Sequence, residues 1–179
     1  MKERLRYEYR QIRKDIQSCA REAADGAIAD AVLAAFADKQ SFFVYFSYGS
    51  EADTHALVTR LVALGKSVYL PRVEGKDMVA VAWTGVEDMK KSSMGICEPE
   101  GRAFEGSADV VITPLLAVNP SGYRLGYGGG FYDRYFCSHG GIKVGIGYSV
   151  QFTDKNFQDG TDVPLDMFIS ERGITYFGK

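Results

Sequence analysis

The chain has 179 residues, 46% of them hydrophobic and 25% charged, which suffices for one compact domain with its own core and is ordinary for a soluble globular protein. A formal net charge of -2 argues against general nucleic-acid binding while leaving room for a local basic pocket. Three widely spaced cysteines (Cys19, Cys97, Cys137) without CxxC spacing, and only His55 and His139 as histidines, argue against a disulfide framework and a zinc site, and no apolar run nears bilayer length.

In chain order, Lys2 to Gln17 reads as a basic helix. Leu5, Tyr9, Ile12 and Ile16 recur at spacings of four, three and four and make one apolar stripe. Lys2 and Arg6, four apart, share a face, and Arg10 and Arg13 extend the positive charge along it. The ordinary meaning of such a face is solvation; the functional one is a clamp over a triphosphate. A second helix is expected from about Asp25 to Lys39, with Ile28, Val32, Leu33 and Phe36 inward. Ser41 to Phe46 reads as a buried strand. After a loop, Asp53 or Thr54 caps a helix that carries Leu57, Val58, Leu61 and Val62 and stops at Gly65. Ser67 to Leu70 is a strand ended by Pro71, so this unit predicts a parallel pair with a right-handed crossover.

Further strands are expected at Met78 to Trp83, Asp109 to Thr113 (closed by Pro114), Ile142 to Tyr148, Met167 to Ser170 and Ile174 to Phe177. A helix is expected from Phe131 to His139. Strands alternating with helices predict an α/β sandwich around a mostly parallel sheet. Ligands gather at the carboxyl ends of such strands, where Glu51, Arg72 and the loop from Asn119 to Gly130 are expected to converge. Glu98-Pro99-Glu100-Gly101 reads as a turn, Trp83 as core, and neither His55 nor Cys97 has a catalytic role.

The most informative stretch runs from Arg124 to Arg134. Four glycines in five positions, Gly126, Gly128, Gly129 and Gly130, stand just before the expected helix. Such backbone can cradle an anion at a positive helix end. Arg124 and Arg134 offer forked donors, and Asp133 is a hard oxygen ligand of the kind magnesium accepts. There is no Gly-Lys-Ser/Thr ending, so this is not a Walker A loop, and Phe131 stands where a dinucleotide fingerprint needs glycine. Glu51, past a buried strand rich in aromatics, could accept paired N–H bonds from an amino-pyrimidine ring. Asp162 or Asp166 could supply a second carboxylate near Asp133.

These pieces, in this order, resemble the 5-formyltetrahydrofolate cyclo-ligase family over nearly the whole chain. The similarity starts at Lys2-Glu3-Arg4-Leu5-Arg6 and continues through Glu51-Ala52-Asp53-Thr54, Leu70-Pro71-Arg72-Val73 and Gly95-Ile96-Cys97-Glu98-Pro99. Its strongest part is Gly122-Tyr123-Arg124-Leu125-Gly126-Tyr127-Gly128-Gly129-Gly130-Phe131-Tyr132-Asp133-Arg134. Phe131 replaces a tyrosine common in the family, and Thr161 a histidine often found before the late aspartate.

The resemblance implies a single domain, 1–179, with a three-layer α/β fold shared with sugar-phosphate isomerases and CoA transferases. It implies ATP-dependent closure of 5-formyltetrahydrofolate to 5,10-methenyltetrahydrofolate through a phosphorylated formyl group, releasing ADP and phosphate. Lys2, Arg6 and Arg124 would be catalytic. They would hold ATP together with Leu125, Gly126, Tyr127, Gly128, Gly129, Gly130, Phe131 and Tyr132. Phe46, Glu51, Tyr127, Gly128, Gly129, Gly130 and Phe131 would contact the folate. Asp133 and Asp162 would bind Mg²⁺. The expected setting is a cytoplasmic monomer with no nucleic-acid or membrane partner. Two other readings stay open on the same residues: a non-catalytic folate or nucleotide sensor, and a sugar-phosphate isomerase-like enzyme.

Overall fold

The computed structural model describes residues 1–92 and 95–178. Helix α1 spans Lys2–Lys14 and buries Leu5, Tyr9 and Arg13, one residue per turn. Leu5 and Tyr9 pack on Leu116, Ala117, Leu125 and Phe157. The helix stops three residues before the expected Gln17. A physical reason is a capping contact, in which Arg21 Nη2 donates to the Arg13 carbonyl at 2.6 Å.

Helix α2 spans Ser18–Ala35, starting seven residues before the expected Asp25 and stopping short of Lys39. Asp25 resembles an N-cap in sequence, but its Oδ1 accepts from the Asp53 N–H (3.0 Å) and the Tyr148 hydroxyl (2.9 Å). Helix α3, His55–Ala63, begins where expected, with Asp53 accepting the His55 and Ala56 N–H groups at 3.3 and 3.2 Å.

Eleven strands follow the chain among the described residues: β1 Ser41–Val44, β2 Ser67–Glu74, β3 Asp77–Ala82, β4 Met89–Lys91, β5 Cys97–Pro99, β6 Val110–Thr113, β7 Ala117–Val118, β8 Arg124–Leu125, β9 Ile142–Ile146, β10 Met167–Ser170 and β11 Gly173–Tyr176. Helix α4 spans Phe131–Ser138. Seven strands form the central sheet in the order β11-β10-β9-β6-β1-β2-β3, and the other four make two small hairpins. Pairings from β10 through β9, β6 and β1 to β2 are parallel, whereas the edge strands β3 and β11 are antiparallel. The sandwich is therefore mostly parallel, with helices on both faces.

Strand alternation divides the core between those faces. Phe42, Val44, Val110 and Ile112 join α2 and α3 through Ile28, Val32, Leu57 and Leu61. Phe43 and Val111 point the other way, toward Tyr135 of α4. Burying Phe42 and Phe43 almost completely contributes about 2–3 kcal/mol each.

Four strand expectations change, one of them the strand expected to reach Phe46, which ends at Val44. The strand expected to end at Pro71 continues to Glu74. Register with β1 ends at Tyr69, so the missing Pro71 N–H deprives no partner on that side, while pairing with β3 carries the strand on. Glu98 and Pro99, expected in a turn, belong to β5 of the first small hairpin. The strand expected to reach Tyr148 ends at Ile146.

From β1 the chain proceeds to β2 on one side, while β6, β9 and β10 build the sheet outward on the other. The carboxyl ends of β1 and β6 thus bracket the point where strand order reverses, the usual place for a ligand crevice in an open α/β sheet. Among the described residues no helix is long and apolar enough to cross a membrane.

Candidate active site

Two cavities of about 600 and 610 Å³ open at that switch point. The first has a mostly apolar surface with an aromatic wall, Tyr45, Phe46 and Tyr48 beyond β1 and Phe131 and Tyr132 from α4. The second is charged, lined by Lys2, Arg6, Arg124, Asp133, Asp159 and Asp162. Pro114, Tyr127, Gly129, Phe131 and Tyr132 border both, so the glycine loop and the start of α4 form the partition.

The partition owes its shape to glycine. Gly130 caps α4 in the left-handed region (φ 65°), and Gly128 has φ 106°. A Cβ on Gly128 would stand 3.3 Å from the Arg6 guanidinium carbon. Arg6 Nε donates to the Gly126 carbonyl at 2.9 Å, and its Nη1 also pairs with Glu3. No side chain caps the start of α4, leaving its first N–H groups and positive helix end for an anion.

Arg124, on β8, is nearly sealed from solvent, with its side chain 5% exposed. Its Nη2 lies 3.1 Å from Asp133 Oδ1, and its Nη1 donates to the Val163 carbonyl at 3.2 Å. Burial pulls its pKa down and Asp133 opposes that, but a guanidinium stays charged across the working range. Lys2 Nζ is held at 2.8 Å by both Asp159 and Asp162. Arg134, expected to offer a fork to an anion, spends donors on the Lys76 and Gly129 carbonyls and so braces the loop.

Asp133 Oδ1 carries the Arg124 contact and accepts from the Val163 N–H at 3.0 Å. Asp162 Oδ2 takes Lys2 and the Asp159 N–H, the latter at 2.8 Å. Each carboxylate therefore keeps one oxygen with no hydrogen bond among the described residues. Two such hard donors on one cavity suit Mg²⁺, which takes one or two carboxylates and fills its shell with phosphate oxygens and water. Among the described residues no cluster of three or more His, Cys, Asp and Glu forms a dedicated metal cage.

On the aromatic side, Glu51 Oε2 accepts from the Tyr48 N–H (2.8 Å) and Oε1 from the Tyr127 hydroxyl (2.6 Å). Burial and then Glu51 raise the Tyr127 pKa well above its ordinary value, so the hydroxyl remains a donor. Phe46 stacks on His55 with centroids 4.0 Å apart.

Every residue expected to hold ATP or metal lines the charged cavity. Phe46, Glu51, Tyr127, Gly129 and Phe131 line the aromatic one, whereas Gly128 and Gly130 border only the charged side. Three expected neighbours lie elsewhere. Arg72 sits inside β2, donating to the Gly101 carbonyl at 2.7 Å. Asn119 is buried and receives the Ser121 and Tyr123 N–H groups in a turn. Asp166 accepts from the Lys143 N–H at 2.8 Å and pairs with its ammonium, so it braces β9.

Sequence reasoning missed Arg13, Asp159 and the hairpin residues Ile96, Cys97 and Glu98 as cavity walls. Arg13 carries a readable signal, since it continues Leu5 and Tyr9 at intervals of four and so lies on the buried face. It donates to Ser50 Oγ at 3.0 Å and the Leu115 carbonyl at 3.3 Å. Together with Arg10 it borders the aromatic cavity rather than extending the Lys2–Arg6 clamp.

Residues 1–171 match the model of the 5-formyltetrahydrofolate cyclo-ligase family. The chain belongs to that family. A 5-formyltetrahydrofolate cyclo-ligase of Haemophilus influenzae is 30% identical over 176 residues, covering 92% of this chain and 94% of the relative. Its Escherichia coli K12 counterpart is 31% identical over 137 residues, covering 71% and 75%. The solution structure of 5,10-methenyltetrahydrofolate synthetase from Aquifex aeolicus superposes with a TM-score of 0.87 at 26% identity, covering 99% of this chain and 93% of the other. The chain is thus an enzyme, a cyclo-ligase of folate one-carbon metabolism, and its seven-stranded sheet is the family's architecture.

Proposed function

We propose that the enzyme closes 5-formyltetrahydrofolate to 5,10-methenyltetrahydrofolate at the expense of ATP, with the folate in the aromatic cavity and the triphosphate in the charged one. The observation that carries this reading is the shared partition. One glycine loop borders both cavities, so a phosphoryl group can pass from one ligand to the other without crossing bulk solvent.

A formyl oxygen is a poor leaving group. In the proposed reaction it attacks the γ-phosphorus of ATP, the bond to the ADP oxygen breaks, and an iminophosphate forms. N10 of the folate then attacks the formyl carbon and loses its proton, and phosphate departs with the former formyl oxygen. Such transfer needs positioning and charge neutralisation more than covalent help. Lys2, Arg6 and Arg124 supply three cations around one cavity, and the N–H groups at the start of α4 add dipoles. Arg124 is pre-oriented by Asp133 and Val163, so little reorganisation accompanies its use. Asp133 and Asp162 would hold Mg²⁺ through their unbonded oxygens; when bound, the ion neutralises phosphate charge. Glu51 would accept N–H bonds from the amino-pyrimidine, with Phe46 and Phe131 alongside its ring.

The test is absorbance of the methenyl product after mixing purified protein with 5-formyltetrahydrofolate and MgATP, with ATP or Mg²⁺ omitted in controls. Product that needs both supports the reading. No product despite binding of both ligands would indicate a sensor, and binding of neither would overturn the assignment of both cavities.

A further inference from the structure

The two oxygens of Glu51 are both engaged within the chain. One is held by its own loop, through the Tyr48 N–H. The other is held by Tyr127, which reaches across from the glycine loop. Tyr127 is the wall residue best placed to feel both cavities. It stands between Gly126 and Gly128, borders both spaces, and is 41% exposed. The Arg10 and Arg13 guanidinium carbons each lie 5.7 Å from its ring centroid. Behind it, Arg6 grips the same loop by the Gly126 carbonyl and rests against Gly128.

We propose that Tyr127 is a positioning residue that latches Glu51 until folate displaces it, and that its release makes occupancy of one cavity favour ligand binding in the other. This rests on the reading of Glu51 as the acceptor for the amino-pyrimidine. A ring N–H and the Tyr127 hydroxyl compete for the same carboxylate oxygen. The apparent folate affinity is therefore reduced by the fraction of molecules in which the latch is shut. A hydrogen bond to an ionised group that is part exposed sets that reduction at about tenfold. While latched, Tyr127 ties the loop toward β1. Once released, the flanking glycines let the loop turn its backbone to the phosphates, so nucleotide and folate tighten each other's binding by the same factor.

The experiment is equilibrium binding of 5-formyltetrahydrofolate to wild type and Tyr127→Phe, each with and without a non-hydrolysable ATP analogue and Mg²⁺. Phenylalanine keeps the ring between Arg10 and Arg13 and removes only the hydroxyl. The expected result is about tenfold tighter folate binding by the variant, and a nucleotide effect of about tenfold in wild type that falls toward one in the variant. A gain of affinity is not what structural damage produces. Unchanged or weaker folate binding in Tyr127→Phe, or an equal nucleotide effect in both proteins, would overturn the latch. Failure of wild type to bind the folate would instead remove the functional reading beneath it. Glu51→Ala separates the two further: with the acceptor gone, Tyr127→Phe added to it should give no additional gain, and a persisting gain would also overturn the latch.

Discussion

Arg124 and Asp133 face each other across 3.1 Å at the bottom of the charged cavity, one on a two-residue strand and the other on the first turn of α4. The pair joins the two ends of the glycine loop, so the loop is closed by charge as well as by chain. Removing the cation leaves a carboxylate with a side chain only 21% exposed and without its partner. Arg124→Ala should lower stability by up to about 3 kcal/mol and reduce ATP-dependent turnover. Arg124→Lys should keep more of the stability yet raise the KM for ATP, because a point charge cannot reproduce the fork. Thermal unfolding and steady-state kinetics on both variants check this; unchanged ATP use in the alanine variant would refute the phosphate clamp.

Asp133→Asn keeps an acceptor for the Val163 N–H and loses the charge. The Mg²⁺ concentration needed for half-maximal nucleotide binding should rise roughly tenfold or more, with the fold retained. Calorimetric titration of nucleotide at several Mg²⁺ concentrations reads this without turnover. Wild-type metal dependence would move the ligand role to other residues.

Gly128→Ala tests the loop's geometry. An L residue at φ 106° costs roughly 1–3 kcal/mol locally, and its Cβ would press on Arg6 at 3.3 Å. The loop is expected to shift rather than the core to unfold. The prediction is weaker ATP binding with far-ultraviolet circular dichroism unchanged; an unaltered KM for ATP would show that the loop backbone does not need this conformation.

Asp25 offers a pH-dependent test away from the charged cavity. Burial, the largest influence, raises its pKa against the opposing hydrogen bonds from the Asp53 N–H and Tyr148 hydroxyl. For a raised carboxyl, stability is fully present below the unfolded value of about 3.9 and is lost as pH climbs through the higher folded value. Asparagine keeps the acceptor oxygen without the charge. Asp25→Asn should therefore match or exceed the wild-type Tm at pH 7 and converge with it below about pH 4. A lower Tm at pH 7 would show that the charge itself holds the loop.

Much of this arrangement was legible because it is local. The 3.6-residue stripe of α1, the β1–α3–β2 unit and the step from glycine loop to α4 each depend on neighbouring residues. What escaped depends on partners far along the chain. Asp25 has the composition of a helix start, but its carboxylate is drawn to Asp53 and Tyr148, so α2 could begin earlier. Gly26, which disfavours a helix interior by about 1 kcal/mol relative to alanine, nonetheless lies inside α2, carried by the packing of its neighbours Ala24, Ile28 and Ala29. Strands β7 and β8, two residues each, are defined by pairing with each other across the chain rather than by any local pattern. The Asp159 contact with Lys2 spans 157 positions, and no local pattern announces it. Within the site, the grouping of the loop with Arg124, Asp133 and Asp162 was readable, and these residues do line one cavity. The clasp of Glu51 by Tyr127 was not, since it joins two loops 76 positions apart.

Helix α1 also works as a ruler. Its amino end presents Lys2 and Arg6 to one cavity and its carboxyl end presents Arg10, Arg13 and Lys14 to the other, within 13 residues. At 1.5 Å per residue that rod is about 20 Å long, and its pitch fixes how far apart the two sets of cations stand and at what angle. A single residue inserted between Arg6 and Arg10 would turn one set by about 100° against the other. The spacing of the two cavities' cations is thus written into the register of one surface helix, where a deletion that spares every side chain lining them would still misalign the two sets.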